Sequence, residues 1–343
     1  MTSSGQLPRP ELAPFRIAPG FVGRVWGYRD LRPWYDLIAE SGDPIGEVWL
    51  TGDECLVATG PHAGKTLGRL FAEAPEEMLG KAAPRCGSPL LIKVIFAREK
   101  LSVQVHPDDR LAQKYGQPRG KTECWYVLAA GPGAQVAAGV KPGVTLDQVR
   151  EGIREGTLEE SLDLLPVVAG EVVFVDAGTV HAIWPGSILL ETQQNCDLTY
   201  RMYDYGRGRE LHIEKALEAT RLTTRAGKVP AKVLADRTIL VDEKYFRVER
   251  IPVEGIRTGA SLAGKVEPGQ NHGTQGLAYL FAAAGSGRIH SPGQGFDPVD
   301  LPPRGIVAVP AASPEFAIED TGGLELIRIT PNWPEETPSG EAR

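Results

Sequence analysis

Residues 101–109 read Leu-Ser-Val-Gln-Val-His-Pro-Asp-Asp, a stretch that predicts a β-strand with two unlike faces. Because side chains alternate across a strand, one face is aliphatic and the other is polar. The aliphatic face is predicted to carry Leu101, Val103 and Val105. The polar face is predicted to carry Ser102, Gln104 and His106. Such a strand suits the wall of a β-barrel whose interior holds an ion, and the alternative is a half-exposed strand whose polar face meets water.

A second polar segment, Gly-Lys-Thr-Glu-Cys-Trp-Tyr at residues 120–126, leads into a strongly strand-like sequence. The same alternation places Lys121, Glu123 and Trp125 on one face and points Cys124 away from them. Taken alone, a Lys-x-Glu pair is usually a solvated ion pair that contributes little to stability. Cys124 is predicted to be a small buried apolar side chain rather than a metal ligand.

A third segment, residues 171–183, reads Glu-Val-Val-Phe-Val-Asp-Ala-Gly-Thr-Val-His-Ala-Ile. A valine-rich strand is predicted to end here, residues 176–178 to make a turn, and His181 to open the next strand. A single histidine after a turn is more often structural than a ligand. This segment by itself therefore assigns no function to His181.

The three segments together supply two imidazoles, one carboxylate and one amide that suit a metal ion. These side chains belong to Gln104, His106, Glu123 and His181. Two nitrogen ligands and one carboxylate are typical of catalytic zinc, whereas structural zinc favours thiolates. Non-haem iron accepts a similar set, so an iron oxygenase is a competing hypothesis. The additional amide and the cations Lys121 and Arg201 disfavour it.

Short apolar runs recur along the chain, and 40 glycines and 28 prolines punctuate its 343 residues. This rhythm is typical of an all-β sandwich or barrel. The predicted strands are residues 90–96, 101–105, 125–128, 171–175, 188–191, 245–251, 277–281, 305–309 and 324–329. The predicted short helices are residues 66–78, 108–115, 145–156, 157–164 and 211–219.

The connector at residues 223–233, which is rich in Lys, Arg and Thr, is the best candidate for a domain boundary. We predict a metal-binding domain at residues 1–235, a second β domain at residues 236–332 and a flexible tail at residues 333–343. The second domain contains His272 and His290 but no His-x-His pattern. It is therefore predicted to bind no metal.

Charge and cysteine pattern narrow the class of protein. A formal charge of −7 and a pI near 5.5 argue against a general affinity for nucleic acid or anionic membranes. Residues 1–11 lack the apolar core of a signal peptide, and no apolar run is long enough to cross a bilayer. We expect a cytoplasmic protein, since its cysteines form no C-x-x-C pair and suit a reducing compartment: Cys55, Cys86, Cys124 and Cys196.

These motifs resemble those of a broad superfamily and, within it, those of one enzyme family. Gly-Thr-Val-His at residues 178–181 resembles the second motif of cupins, although its turn lacks the proline common there, and Gln104, His106 and Glu123 resemble a modified first motif. In more detail the chain resembles the short bacterial branch of type I mannose-6-phosphate isomerases. The segments that carry this resemblance are residues 25–27 (Val-Trp-Gly), 102–109, 120–126 and 199–207 (Thr-Tyr-Arg-Met-Tyr-Asp-Tyr-Gly-Arg).

The resemblance implies two cupin-type jelly-roll β-barrel domains with a few inserted short helices. It implies one zinc ion per chain, bound by the residues that match the family's ligands, which are Gln104, His106, Glu123 and His181. The implied catalytic residues are Lys121, Glu191, Asp197 and Arg201. The implied substrate-binding residues are Trp26, Ser102, Lys121 and Arg201. The implied reaction interconverts mannose-6-phosphate and fructose-6-phosphate through an enediol.

Several roles stay open at this level. The carbon base is Glu191, Asp197 or a hydroxide activated by the metal. Arg201 suits either the enediolate or the phosphate, and its structural alternative is a salt bridge to Asp204 or Asp197. A cupin that binds a sugar without catalysis is the second hypothesis of function, but it does not explain why lysine, arginine and acidic motifs accompany the metal ligands. The oligomeric state is not determined by the sequence.

Overall fold

The computed structural model describes residues 12–81, 83–84, 87–263 and 276–333, which form a mostly β protein with few helices. The predicted β-dominated class is therefore confirmed, whereas two closed cupin barrels stay a prediction. The predictions made for residues 1–11, Cys86, His272 and the tail residues 334–343 lie outside the described residues.

Most strands are short, as the dense Gly and Pro punctuation predicts. Up to residue 233 they are β1 (Phe15–Ile17), β2 (Gly20–Tyr28), β3 (Ile45–Trp49), β4 (Leu90–Phe96), β5 (Val103–Val105), β6 (Glu123–Ala130), β7 (Gln135–Val140), β8 (Leu162–Pro166), β9 (Val172–Val175), β10 (His181–Ile183), β11 (Ser187–Gln194), β12 (Tyr200–Tyr203), β13 (Gly227–Lys228) and β14 (Lys232–Val233).

The later strands complete the fold. They are β15 (Thr238–Asp242), β16 (Phe246–Pro252), β17 (Ile256–Thr258), β18 (Ala278–Ala284), β19 (Gly287–His290), β20 (Val299–Leu301), β21 (Ile306–Val309), β22 (Ala317–Asp320) and β23 (Glu325–Pro331). The helices are α1 (Leu67–Glu73), α2 (Pro75–Leu79), α3 (Asp109–Lys114), α4 (Leu146–Glu155), α5 (Ile213–Ala219) and α6 (Gly259–Ala263). No helix in the described ranges is long and apolar enough to span a lipid bilayer.

Two predicted helices are corrected by the structure. Residues 66–78 form two helices, because Pro75 has no N–H and disfavours a helical conformation at Ala74. Residues 157–164 were predicted to be helical, but a 3₁₀ turn at Leu158–Ser161 leads into β8, which pairs with β7. Pairing with a strand some twenty residues earlier, which the local sequence does not reveal, overrides the helical pattern there.

Among the described residues the strands form four sheets, and each pair of neighbours is antiparallel. Their strand orders are β12-β5-β10-β7-β8, β13-β9-β6-β11-β4-β3-β2, β1-β21-β18-β23-β16-β15-β14 and β17-β22-β19-β20. We call them, in that order, the five-stranded sheet, the front sheet, the back sheet and the four-stranded sheet.

Apolar cores join the sheets in layers. The five-stranded sheet and the front sheet pack on each other through Trp26, Trp125, Val136 and Ile183. The front and back sheets pack through a larger core that takes Ile92 and Leu190 from one and Phe246, Phe281 and Ile329 from the other. A third core joins the back sheet to the four-stranded sheet. Helices α4 and α5 cover the outer face of the five-stranded sheet.

Strand β1 ties the beginning of the described chain to its end. Phe15 lies opposite Ala308, so β1 is an edge strand of the back sheet although it precedes the front sheet in sequence. Strand β14 also pairs into the back sheet, through β15. The domain division at residue 235 stays a prediction, and both strands lie before it in the chain.

We expect Phe15→Ala to lower the free energy of unfolding by about 3–5 kcal/mol, because this ring is 3% exposed and packs in the core between front and back sheets. Phe21→Ala is the matched control: Phe21 is 39% exposed and touches Tyr35 edge to face, so the expected loss is at most about 1.5 kcal/mol. Urea denaturation followed by tryptophan fluorescence measures both. Equal losses of unfolding free energy in the two variants would show that the buried ring of Phe15 stabilises the fold no more than the exposed ring of Phe21.

Candidate metal centre and active-site cavity

A cavity of about 530 Å³ opens between the five-stranded sheet and the front sheet. Its walls come from β2, β3, β4, β6 and β11 on one side and from β5, β10 and the chain around β12 on the other. Of the sequence-predicted site residues, it is lined by Trp26, Ser102, Gln104, Lys121, His181, Glu191, Asp197 and Arg201. The other two, His106 and Glu123, contact the lining residues His181 and Lys121.

The prediction for residue 101 is wrong. Leu101 was expected on the same face as Val103 and Val105, but it packs in the core beside the cavity and lines the cavity with Ser102. Val103 and Val105 instead face helices α4 and α5. Strand β5 starts only at Val103, so the period of two does not extend back to Leu101.

His106, Glu123 and His181 form a buried cluster whose ligand atoms all lie within 4.8 Å of one another. Glu123 Oε2 lies 3.7 Å from His106 Nε2, and Glu123 Oε1 lies 3.5 Å from His181 Nε2. Strand pairing creates this proximity, since His181 is directly opposite Gln104, two residues before His106. The cluster can hold a divalent metal ion.

In both imidazoles, a hydrogen bond at Nδ1 leaves Nε2 free to bind a metal. His106 Nδ1 lies 2.9 Å from the carbonyl of Leu198, and His181 Nδ1 lies 2.9 Å from the carbonyl of Thr179. A carbonyl only accepts, so each Nδ1 carries the proton and each Nε2 keeps its lone pair towards the cluster. His106 Nε2 is buried and makes no hydrogen bond within the described chain, as expected of an atom whose partner is a metal.

Burial keeps these imidazoles neutral. It lowers the pKa of His106 well below its usual value, and the positive charge of Lys121 acts in the same direction. Burial also lowers the pKa of His181 to about 4. Metals bind the neutral form of histidine, so both side chains are available at neutral pH without losing a proton.

Gln104 lies beside the cluster, with its amide nitrogen 3.3 Å from His181 Nε2 and its amide oxygen accepting a hydrogen bond from Ser102 Oγ at 3.1 Å. The two ends of an amide exchange places by a half-turn. After that turn the oxygen faces the cluster and the NH₂ group donates to Ser102. Gln104 is thus close enough to act as a further ligand, and Ser102 is its orienting neighbour.

A row of charged side chains of alternating sign, all of them buried except Arg24, leads from the cluster across the front sheet. Lys121 Nζ lies 3.0 Å from Glu123 Oε2 and 3.7 Å from Glu191 Oε1. Lys93 Nζ lies 3.1 Å from Glu191 Oε1 and 3.2 Å from Glu47 Oε1. We call this row the charge ladder; its members are Arg24, Glu47, Lys93, Glu191, Lys121 and Glu123.

Burial and the charges of the ladder shift the pKa values of Glu123 and Glu191 in opposite directions. Burial and the negative charge of Glu191 raise the pKa of Glu123 to about 7, although Lys121 opposes them. Burial also acts against ionised Glu191, but Lys93 and Lys121 together hold its pKa below the usual value. Glu191 further accepts a hydrogen bond of 2.9 Å from Trp125 Nε1. Glu191 therefore stays ionised, whereas the ionised form of Glu123 would be stabilised by a further positive charge.

Arg201 lies beside the metal ligands, since it is opposite Gln104 in the pairing of β12 with β5. Within the described residues it forms neither of the salt bridges considered for it, because Asp204 pairs with Arg209 and Arg207 instead. Its guanidinium donates to the carbonyl of Glu210 at 2.9 Å. Its Nε is buried without a hydrogen-bond partner in the described chain, and Arg201 also lines the cavity.

The remaining predicted residues occupy the rim and the wall. Asp197 is an exposed carboxylate at the rim of the cavity. Trp26 is 3% exposed and packs its ring in the apolar core beside the cavity. Cys124, as expected, points into the opposite core and is not a ligand.

Five charged lining residues were missed by the sequence analysis: Arg24, Asp43, Glu47, Lys93 and Arg209. For Lys93 a signal existed, because it is the single charge in the apolar run of residues 90–96, whose strand is buried throughout. A lysine there must have a buried anionic partner or function. The other four lie in segments with no comparable pattern.

Residues 15–156 match the family described as phosphomannose isomerase type I, catalytic domain. The chain is 35% identical over 273 residues to a mannose-6-phosphate isomerase of Streptococcus mutans, covering 74% of this chain and 84% of that protein. The chain belongs to the type I mannose-6-phosphate isomerases. The family and the enzymatic activity that the motifs implied are thereby confirmed.

Solved structures share the fold of this isomerase. The crystal structure of the mannose 6-phosphate isomerase from Bacillus subtilis is 28% identical, with a TM-score of 0.78, and the match covers 93% of this chain and 99% of that one. A mannose 6-phosphate isomerase bound with zinc and yttrium has a TM-score of 0.70 at 15% identity, over 94% of this chain and 100% of that one.

We expect the zinc affinity of the metal-free isomerase to fall about tenfold per pH unit below about pH 7 and to level off above it. Glu123, with its pKa raised to about 7, must release one proton on binding, whereas His181, with a pKa of about 4, is already neutral. Competition with a chelator of known proton affinity, between pH 5.5 and 8, measures this slope.

Glu123→Gln should bind zinc more weakly at every pH and lose the slope, because the amide has no proton to release. His106→Ala with His181→Ala should abolish binding, and Cys124→Ala should leave it unchanged. A slope of two protons between pH 6 and 7 would contradict the neutral imidazoles.

Proposed function

We propose that the chain interconverts mannose-6-phosphate and fructose-6-phosphate through an enediol, using one zinc ion held by His106, Glu123, His181 and Gln104. The observation that carries this proposal is the buried two-histidine, one-carboxylate cluster, which adjoins a cavity lined by Lys121 and Arg201 in a member of this isomerase family. The domain arrangement and the cytoplasmic location expected from the sequence remain part of the proposal.

The donor set suits zinc. Two neutral imidazoles, one carboxylate and an amide oxygen match the nitrogen and oxygen ligands of catalytic zinc sites. The unpartnered Nε2 of His106 and the raised pKa of Glu123 are both relieved by a cation between these side chains. When bound, zinc would supply a Lewis acid that stabilises negative charge on the sugar oxygens.

The lysines of the charge ladder would extend that positive field. Lys121 bridges the ligand Glu123 and the fixed anion Glu191, so its ammonium is held at the cavity wall in one position. A preorganised cation stabilises an oxyanion without reorientation during the reaction. We propose that Lys121 lies against O1 or O2 of the open-chain sugar.

Asp197 is the carboxylate we propose as carbon base. Glu191 is engaged by Lys93, Lys121 and Trp125 and has a lowered pKa, which makes it a poor proton acceptor. Asp197 lines the same cavity, and no salt-bridge partner lies within 4.0 Å of it in the described chain. In this scheme Asp197 removes the proton from C2 of mannose-6-phosphate and returns it to C1, while a proton passes from O2 to O1.

Arg201 would stabilise the enediolate from the opposite wall. It is the direct neighbour of the ligand Gln104 across β5 and β12, which places it close to the metal-binding end of the cavity. A guanidinium presents a planar pair of donors that matches two adjacent oxygens. We assign Arg201 to O1 and O2 on this basis.

Isomerisation in deuterated water tests the mechanism. Mannose-6-phosphate should give fructose-6-phosphate that carries deuterium at C1, detected by NMR, because a base exchanges its proton with solvent during the enediol lifetime. Partial retention of hydrogen would fit a shielded base. Asp197→Asn should lose both conversion and exchange while retaining zinc. Protein that binds the sugar phosphate but shows neither conversion nor exchange would leave only the sugar-binding alternative.

We expect Arg201→Lys to retain zinc and to lower kcat by about tenfold or more, since lysine keeps the charge but loses the two-donor geometry. Steady-state kinetics with metal analysis of the same preparation measures both quantities. A rise in KM with unchanged kcat would instead assign Arg201 to uniform substrate binding. No change in either parameter would remove Arg201 from the site.

A further inference from the structure

Two cavity-lining arginines have no part in the chemistry proposed above. Arg24 lies in β2, the edge strand of the front sheet, and Arg209 follows β12, the edge strand of the five-stranded sheet. Both reach the cavity that Arg201 also lines. The metal-ligand cluster, by contrast, is built around the inner strands β5, β6 and β10. The two arginines thus belong to the part of the cavity formed by the sheet edges.

Each arginine is held in place by a buried carboxylate. Arg24 donates to Glu47 Oε2 at 2.8 Å, and Glu47 is 5% exposed. Arg209 Nε donates to Asp204 Oδ2 at 2.8 Å and its NH2 pairs with the other oxygen, and Asp204 is 4% exposed. A guanidinium fixed on one side by a carboxylate still has N–H donors on its other side.

Each supporting carboxylate is shared with a second cation. Glu47 is shared with Lys93 at 3.2 Å, and Asp204 is shared with Arg207 at 3.5 Å. Neither arginine therefore has a carboxylate to itself, although Lys93 also pairs with Glu191 and Arg207 with Glu99. Asp43 and Asp197 also line the cavity, but both are exposed to water, which screens their charge.

The positive charges of Arg24 and Arg209 also act on Arg201. Burial lowers the pKa of Arg201, and the charges of Arg209 and Arg24 lower it further, although Asp204 and Glu210 oppose them. Arg24 and Arg209 are therefore each close enough to Arg201 for their positive charges to repel it. Repulsion of this kind is relieved by an anion of multiple charge bound between them.

We propose that Arg24 and Arg209 bind the phosphate group of the substrate, so that the metal end receives the reacting carbons and the sheet edges receive the phosphate. This inference rests on the proposed function, since it places the phosphate of the same substrate. A phosphate offers three oxygens to two guanidinium forks, and each fork is already oriented by its carboxylate. The two arginines then select phosphorylated over free sugars.

The test uses ligands that bind without reacting. Inorganic phosphate and sorbitol 6-phosphate, which has no carbonyl group to isomerise, are titrated calorimetrically into the zinc-loaded enzyme. Arg24→Gln and Arg209→Gln should each raise both dissociation constants by about tenfold or more, the effect expected for loss of a charge-assisted hydrogen bond. In steady-state kinetics KM for mannose-6-phosphate should rise much more than kcat falls, and zinc content should stay unchanged.

Two further variants control for charge and for folding. Arg288→Gln removes the same charge from an exposed arginine that pairs with Asp300 in the four-stranded sheet, and it should leave both dissociation constants unchanged. Arg24→Lys and Arg209→Lys keep the charge and the contact with the buried carboxylate. They should give a smaller loss of phosphate affinity than the glutamine variants.

Unchanged dissociation constants in both glutamine variants would overturn the assignment. So would a loss of kcat or zinc with unchanged KM, which would show that the arginines only maintain the shape of the site. If wild-type enzyme binds sorbitol 6-phosphate through these arginines yet does not isomerise mannose-6-phosphate, the phosphate site stands and the proposed reaction fails.

Discussion

The charge ladder is the constraint on which the rest of the active-site cavity depends. Its members Glu47, Lys93, Glu191, Lys121 and Glu123 are each at most 5% exposed, so water does not hydrate their charges. A buried charge without a partner costs several kcal/mol, and each of these therefore requires its neighbour. Removing one member would leave its neighbours in the ladder with one oppositely charged partner fewer. The arrangement of charges around the metal cluster and the substrate cavity is set as one unit.

The register of the paired strands holds the charge ladder together. Glu191 of β11 lies directly opposite Lys93 of β4 on one side and Trp125 of β6 on the other. A slip of one residue would turn these side chains into the apolar core behind the front sheet. That core, shared with the back sheet, holds the other face of the same strands. The C-terminal half of the chain thus acts on the site indirectly, by fixing the sheet that carries the ladder.

Burial and neighbouring charge also distinguish the carboxylates around the cavity. Glu123, at the end that faces the imidazoles, has a raised pKa and gains from a metal ion. Glu191, between two lysines, stays ionised and orients them. Asp197, at the rim, is exposed to water. Identical functional groups acquire different chemistry because burial and neighbouring charge differ from one position to the next.

The sequence by itself determined the β-dominated class, the family and the identity of the metal-competent side chains. Each of these depends on local order: alternating polarity at residues 101–106, Lys-x-Glu before a strand, and a histidine after a glycine turn. Only the tertiary structure decided that Leu101 faces the cavity, that residues 162–166 form a strand, and that Arg24, Glu47, Lys93 and Arg209 meet there. These depend on pairing and packing between segments distant in the chain, and a charge gains or loses its partner only when the sheets bring those segments together.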